Sequence, residues 1–419
     1  MHGSVKLQRL KRLDLHRLLL PPGTSRDAAP LLAARALRAF GDGFVSLLLP
    51  YYLTLLGYNA FQIGLLITAT LLGSGLLTLA VGFIAHRHPA RQLLYAGSLL
   101  MAATGFAMAT VSDFWPLLAV AVVGTLNPAA NDVTPITPLE QTLLARATSA
   151  ESRTALFARH SLIGALVAAF GAQAAGLPAL AGDDAAAQLE AVRGMFVFYA
   201  LLGLASFALY RRLSPLAGHG SGEQTVALGP SRGIVYRLAA LFSLDSFAGG
   251  FAVQSLLALW LLQRFELSVS ATAMIFFWAG LLTAFSQLAA VPVARRFGLV
   301  NTMVFTHLPA NLFLVMVPLM PTLELALLFL LLRSALSSMD VPVRTSYVMA
   351  VVTPGERPAA ASLTAVPRSL ASALSPTLAG ALLAASPFGW PLVICGTLKI
   401  AYDLALLRMF SRIKPPEER

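Results

Sequence analysis

A single cysteine, Cys395, occurs in 419 residues, so no intramolecular disulfide braces the fold and no thiolate pair can hold a metal. Charged residues are only 12% of the chain, too few to clothe a soluble protein of this size. The signatures of an enzyme or a nucleotide-driven pump are missing too. There is no Gly-x-Ser-x-Gly elbow, no His-Glu-x-x-His helix and no Gly-x-x-x-x-Gly-Lys-Ser/Thr loop. No Asn-x-Ser/Thr triplet, heptad pattern or low-complexity tail occurs. These absences argue against catalysis, and against any metal site or cofactor.

What fills the chain is apolar sequence: 57% hydrophobic residues and a mean hydropathy of +0.74. A membrane-crossing helix needs about 20 mostly apolar residues. Twelve such runs are expected, at 32–56, 61–85, 91–111, 114–146, 154–178, 193–212, 233–263, 270–294, 299–319, 322–352, 357–385 and 388–411. Several exceed the bilayer thickness and must tilt or protrude.

The stretch from Leu332 to Ala385 organises the rest. It carries Arg333, Asp340 and Arg344, spaced seven and four apart and so expected on one stripe of a helix. A polar hinge with Gly355-Glu356-Arg357 follows, then an apolar helix bearing Arg368. About 204 residues earlier, Asn131-Asp132-Val133 stands in the same relation to Glu151 and Arg153. Asp42 and Asp245, 203 apart, extend the echo. The chain reads as a same-direction duplication, a plan used by one class of membrane transporters. The expected organisation is a basic amphipathic or flexible segment at 1–30, a first half at 31–212, a linker at 213–232, a second half at 233–411 and a tail at 412–419.

Lys and Arg positions orient the spans. With both termini cytoplasmic, 25 of the 30 basic residues fall in inner segments or at inner helix ends, including all eight from Lys6 to Arg38. The net charge of +11 is therefore a topology signal, dispersed over short loops and unlike a nucleic-acid footprint. Lys399 and Asp403, one turn apart near the chain's end, are expected to form a structural pair on a peripheral helix.

Twelve spans, a two-times-six duplication, both ends inside and a long middle loop together resemble the major facilitator superfamily, closest to its bacterial members. The loop Gly82-Phe83-Ile84-Ala85-His86-Arg87-His88-Pro89-Ala90-Arg91 resembles that family's loop between helices 2 and 3, with His86 where the family has an aspartate. The resemblance implies an all-α membrane protein with twelve transmembrane helices in two pseudo-symmetric six-helix bundles. It further implies helices 1, 4, 7 and 10 around a central cavity, alternating access, a monomer, and a place in the bacterial inner membrane amid lipid.

Buried ionisable residues in such spans face a cavity or one another. Asp42, Asp132, Asp245 and Asp340 are candidate proton carriers, with an Asp340–Arg344 pair as the structural alternative. Arg333 and Arg368 suit an anionic group, because a guanidinium grips a carboxylate or phosphate with two hydrogen bonds. Arg344, Asn127, Asn131, Gln254 and Glu140 join them as candidate contacts to a small-molecule substrate, with gating an equal alternative for Glu140. Arg87, Arg91, Glu151, Arg153, Glu356 and Arg357 are candidate gate residues at hinge loops. The expected function is secondary, proton-coupled transport of a small organic anion or zwitterion. The alternatives are a drug or toxic-compound exporter of the same build, and a transporter-like receptor that does not transport.

The charge distribution makes a topology prediction. In a Cys395→Ser background, an impermeant thiol reagent applied to intact cells should label Asp183→Cys and spare Gly222→Cys. The reverse pattern would overturn the orientation.

Overall fold

The computed structural model describes residues 20, 23–84, 87–129, 134, 136–148, 150–182, 184–214, 229–353, 356–411 and 413. Fifteen α-helices and two 3-10 turns make up the described residues, with no strand among them. The first half contains α1 (Ala28–Leu55), α2 (Ala60–Ile84), α3 (Ala90–Thr110), α4 (Phe114–Val123), α5 (Thr137–Arg146), α6 (Ala150–Ala174) and α7 (Ala185–Tyr210). The second contains α8 (Arg232–Gly250), α9 (Gln254–Phe265), α10 (Val269–Phe297), α11 (Leu299–Met316), α12 (Leu323–Leu336), α13 (Asp340–Val351), α14 (Arg357–Ala385) and α15 (Trp390–Phe410). Asp184, Ser268 and Thr322 cap α7, α10 and α12, each accepting a backbone N–H three residues on.

Nine stretches among the described residues are long and apolar enough to cross a membrane. Three further stretches expected to cross fall short of that measure for visible reasons. Arg35, Arg38 and Asp42 lower the hydropathy of α1, α14 carries Arg357, Arg368 and several serines, and α4–α5 is interrupted. The runs expected as single helices at 114–146, 233–263 and 322–352 are each two helices. In the first, Pro138 sits in the opening turn of α5, where its missing N–H costs nothing. Pro342 likewise cannot donate back across residues 337–339, so the chain breaks between α12 and α13. The single stripe expected for Arg333, Asp340 and Arg344 is therefore divided: Arg333 ends α12, while Asp340 and Arg344 lie one turn apart on α13.

The duplication governs the packing. In the first half α1 packs on α6 and α3 on α7; in the second α8 packs on α14 and α11 on α15. The halves meet through α2 against α14 and through α10 against α6, the same contact exchanged. Large apolar side chains such as Phe106, Trp115, Leu201, Trp278 and Phe285 are exposed on the outside, as a lipid-facing surface requires.

Contacts between the halves gather toward one end, that of the α1–α2 and α14–α15 turns. Gly64 on α2 and Gly380 on α14 cross so closely that a Cβ at Gly64 would stand 2.5 Å from the Pro376 carbonyl oxygen. Small residues permit such crossings where apolar burial gives helices no mutual attraction. Nearby, Thr377 Oγ1 bonds Thr68 Oγ1 at 2.8 Å, Ser270 Oγ donates to the Gly176 carbonyl at 3.2 Å, and Gln254 Nε2 donates to Ser46 Oγ at 2.9 Å. Ser255 Oγ also donates to the carbonyls of Ser46 and Pro128, at 2.5 and 3.0 Å.

This crossing is testable. Thr68→Cys with Thr377→Cys, in a Cys395→Ser background, should form a disulfide on mild oxidation. Adding Gly64→Val should cost about 1–3 kcal/mol of overpacking and sharply lower the cross-linking yield. An unchanged yield would mean that the crossing does not hold this end closed.

Candidate functional site

Between the halves lies a cavity of about 530 Å³. Its two walls differ in chemistry. The first-half wall is mainly the small-residue face of α6: Gly164, Ala165, Ala168, Ala169 and Ala172. The second-half wall presents Arg333, Arg344, Arg368 and Lys399 with Asp245 and Asp340, together with hydroxyls from Ser246, Ser334, Ser337, Ser338, Ser369 and Ser372. From the first half, Arg35 reaches the cavity by lying over Gly164, where a Cβ would stand 2.3 Å from its Nη2.

The second-half charges form a connected set. Asp245, on α8, accepts from Lys399 Nζ at 2.6 Å and from Arg344 Nη2 at 3.1 Å. Arg344 also pairs with Asp340 one turn away and lies over the Phe242 ring, 5.2 Å from its centroid. Arg368 Nε donates to Ser246 Oγ at 3.2 Å. Arg333 makes no hydrogen bond or ion pair with the described residues, and its Nε is buried without a partner. Asp403 does not pair with Lys399. Its Oδ1 lies 2.9 Å from His307 Nδ1, and its Oδ2 accepts from Asn311 Nδ2 at 2.9 Å, an amide that is also 3.2 Å from His307 Nδ1; both residues are on α11. Lys399 turns instead toward Asp245, so the last helix helps to line the site rather than lying at its periphery.

In the first half, Arg38 on α1 forks onto Glu140 on α5, Nη1 to Oε1 at 2.7 Å and Nη2 to Oε2 at 2.6 Å. Tyr210 OH accepts from Arg38 Nη1 and donates to Glu140 Oε1, both at 2.5 Å, and His160 Nε2 lies 3.4 Å from Oε2. Glu140 is 0% exposed and stands apart from the cavity wall. Counted by sequence among the basic residues of an inner segment, Arg38 is instead a buried ion-pair partner at 3% exposure. Asp42 accepts from Asn127 Nδ2 at 3.2 Å in a small separate pocket with Arg38, Thr125 and Tyr199.

The hinge-loop residues sit apart from the cavity. Glu356 accepts from Ser231 Oγ and Thr353 Oγ1, both at 2.6 Å, and from the Gly229 N–H, tying the start of α14 to the start of α8. These bonds hold its carboxyl down at about 2. Arg357 Nε donates to the Met349 carbonyl at 3.0 Å. Arg91 Nη2 donates to the Arg211 carbonyl at 3.4 Å, and Arg87 is exposed. Glu151 and Arg153 belong to the first turn of α6. Asn131 and Asp132 lie outside the described residues, as do His86, Asp183 and most of residues 1–22, 213–232 and 412–419.

Of the residues singled out by sequence, Asp245, Asp340, Arg333, Arg344, Arg368 and Gln254 meet at one cavity. His307, Lys399 and Arg35 complete it. Arg35, Arg38 and Asp42 announce themselves by an i, i+3, i+7 spacing along one face of an otherwise apolar helix.

The family model of the Major Facilitator Superfamily matches residues 31–334, and the chain belongs to that superfamily. Membership makes it a membrane transporter of the secondary kind. The uncharacterized membrane protein YJR124C of Saccharomyces cerevisiae is 25% identical over 427 residues, covering 92% of this chain and 94% of that one. Among solved structures, a mutant of the nucleoside transporter NupG superposes with a TM-score of 0.73 at 15% identity, covering 92% of this chain and all of the other. A bacterial homologue of the iron transporter ferroportin, in an inward-facing state, gives 0.72 at 16% identity, covering 92% and 99%. At these identities the structures show a shared fold.

The Arg38–Glu140 joint makes a stability prediction. Removing one partner strands a buried charge, which costs roughly 3–5 kcal/mol. Arg38→Met and Glu140→Leu should each lower the melting temperature of the purified protein strongly, and the double substitution should recover much of the loss. Additive losses would show that the joint contributes little as a pair.

Proposed function

We propose that this chain moves a small organic anion across the membrane by alternating access, driven by a proton gradient. The observation that carries the reading is Arg333. Its guanidinium lines the cavity with no counter-ion among the described residues, while Asp245 and Asp340 are already held by Lys399 and Arg344. An unbalanced cation in a membrane interior is costly, and an anionic solute would offset that cost. Arg368 and the serine hydroxyls add donors suited to carboxylate or phosphate oxygens. The facing Gly/Ala wall leaves room for the body of the solute.

Alternating access is supported by where the halves touch. The named contacts close the end of the α1–α2 and α14–α15 turns, and the positive-inside distribution makes that end the outer one. This is the inward-facing half of a rocking cycle, in which the contacts at the outer end open as the inner ends approach.

The test is solute uptake. Proteoliposomes holding the full chain are incubated in a small-molecule cell extract, and accumulated solutes are identified by mass spectrometry. Accumulation of an anion is expected. For that anion, Arg333→Gln should raise the half-saturating concentration roughly tenfold or more, the scale of a lost charged hydrogen bond. Arg333→Lys should fall between the two. Accumulation of only neutral or cationic solutes, or unaltered uptake by Arg333→Gln, would sink the reading.

A further inference from the structure

The charge balance of the second half turns on a single proton. Four fixed cations stand on or beside the cavity wall: Arg333, Arg344, Arg368 and Lys399. Three carboxylates oppose them: Asp245, Asp340 and Asp403. Asp245 is shared by Lys399 and Arg344, and Asp340 by Arg344. Asp403 differs, because its partners among the described residues are the imidazole of His307 and the amide of Asn311.

We propose that the His307–Asp403 pair is the proton-binding site that couples anion movement to the proton gradient, a step that rests on reading the chain as an anion transporter. With the Nδ1–H of a neutral imidazole donating to Asp403 Oδ1, the pair carries charge −1, and the four cations and three carboxylates together have a positive excess of one. A proton added at Nε2 makes the pair neutral and raises the excess to two. Both groups are buried, but His307 lines the cavity and Asp403, at 0% exposure, lies behind it. The imidazole is thus the way in for the proton.

The surroundings set the direction of the coupling. Near His307 are Tyr402 and Asp403 from α15, Asn311 from its own helix, Asp340 from α13 and Asp245 from α8, while Lys399, Arg333, Arg344 and Arg368 line the same cavity. The remaining packed helix, α10, carries Arg295 and Arg296 at its exposed far end. These groups are either permanently charged or held in ion pairs, apart from the Tyr402 phenol and the Asn311 amide. An anion entering this field binds more tightly once the pair is neutral, and by reciprocity the bound anion strengthens the hold on the proton. A monovalent anion and one proton then cross together as a neutral load, and each leaves at the other face. Asp42, in its separate pocket behind Arg38 and Tyr199, has no such direct view of the cavity.

The test separates this step from the transport reading. Melting temperatures of the detergent-solubilised full chain are measured in sulfate against chloride, from about pH 8 down to about pH 5, the window of histidine titration. Sulfate serves as the probe because its own charge is constant there. In the native chain, stabilisation by sulfate should grow as pH falls, with apparent affinity rising up to about tenfold per pH unit, the limit for one linked proton. Asp403→Asn removes the negative charge permanently, so its affinity should stay high and flat across that range. Asp403→Glu should restore the slope, which a residue needed only for folding would not do. A native chain without a slope, or a slope kept in Asp403→Asn, overturns the proposal whatever is transported. Failure of the native chain to accumulate any anion in proteoliposomes, with the sulfate slope intact, overturns the transport reading alone.

Discussion

Charge inside a membrane must be matched, and that constraint organises this molecule. In each half the match is made between the helices that open and cross the bundle. In the first, a cation on α1 meets an anion on α5, Arg38 with Glu140; in the second, an anion on α8 meets a cation on α13, Asp245 with Arg344. Glu140 and Arg344 are 204 positions apart, the period of the duplication. On the opening helix, however, Asp245 corresponds to Asp42, 203 positions earlier, and Arg38 lies one turn before it, so the two joints link equivalent helices with opposite polarity. Desolvating two charges is repaid only where geometry is close and spare hydrogen-bonding positions are filled. Tyr210 fills them in the first half, and Lys399 with Asp340 in the second.

The two joints then diverge in purpose. The first is sealed within its bundle, with every polar atom of Glu140 answered by Arg38, Tyr210 or His160. The second opens onto the cavity, and Arg333 and Arg368 add charge beyond what Asp245 and Asp340 take up. Small residues set the space around it. Gly64 and Gly380 bring the halves together at one end, and Gly164 to Ala172 on α6 leave a shallow wall below. Close approach and free volume thus come from the same absence of side chain.

Much of the site was open to reading from one sequence. Asp245, Asp340, Arg333, Arg344 and Arg368 stand out because a charge in an apolar run is expensive enough to need a reason. They converge on one cavity because α8, α12, α13 and α14 of the second half all line it. Lys399 and Asp403 illustrate the limit. Their spacing of four suggests a pair on one helix, yet each finds a partner on a different helix, Asp245 for the one and His307 for the other. A local pair at i, i+4 is weak, a few tenths of a kcal/mol, so a buried carboxylate across the bundle outcompetes it.

The sequence alone determined the all-helical membrane class and the duplication, because those depend on hydropathy and period, which are properties of the chain read in order. It did not mark where three of the expected runs, 114–146, 233–263 and 322–352, break into two helices. Tertiary structure decided which charge meets which. Arg38 is 102 residues from Glu140, Lys399 is 154 from Asp245 and His307 is 96 from Asp403. Such pairings depend on how helices are rotated and set against one another, and only packing supplies that.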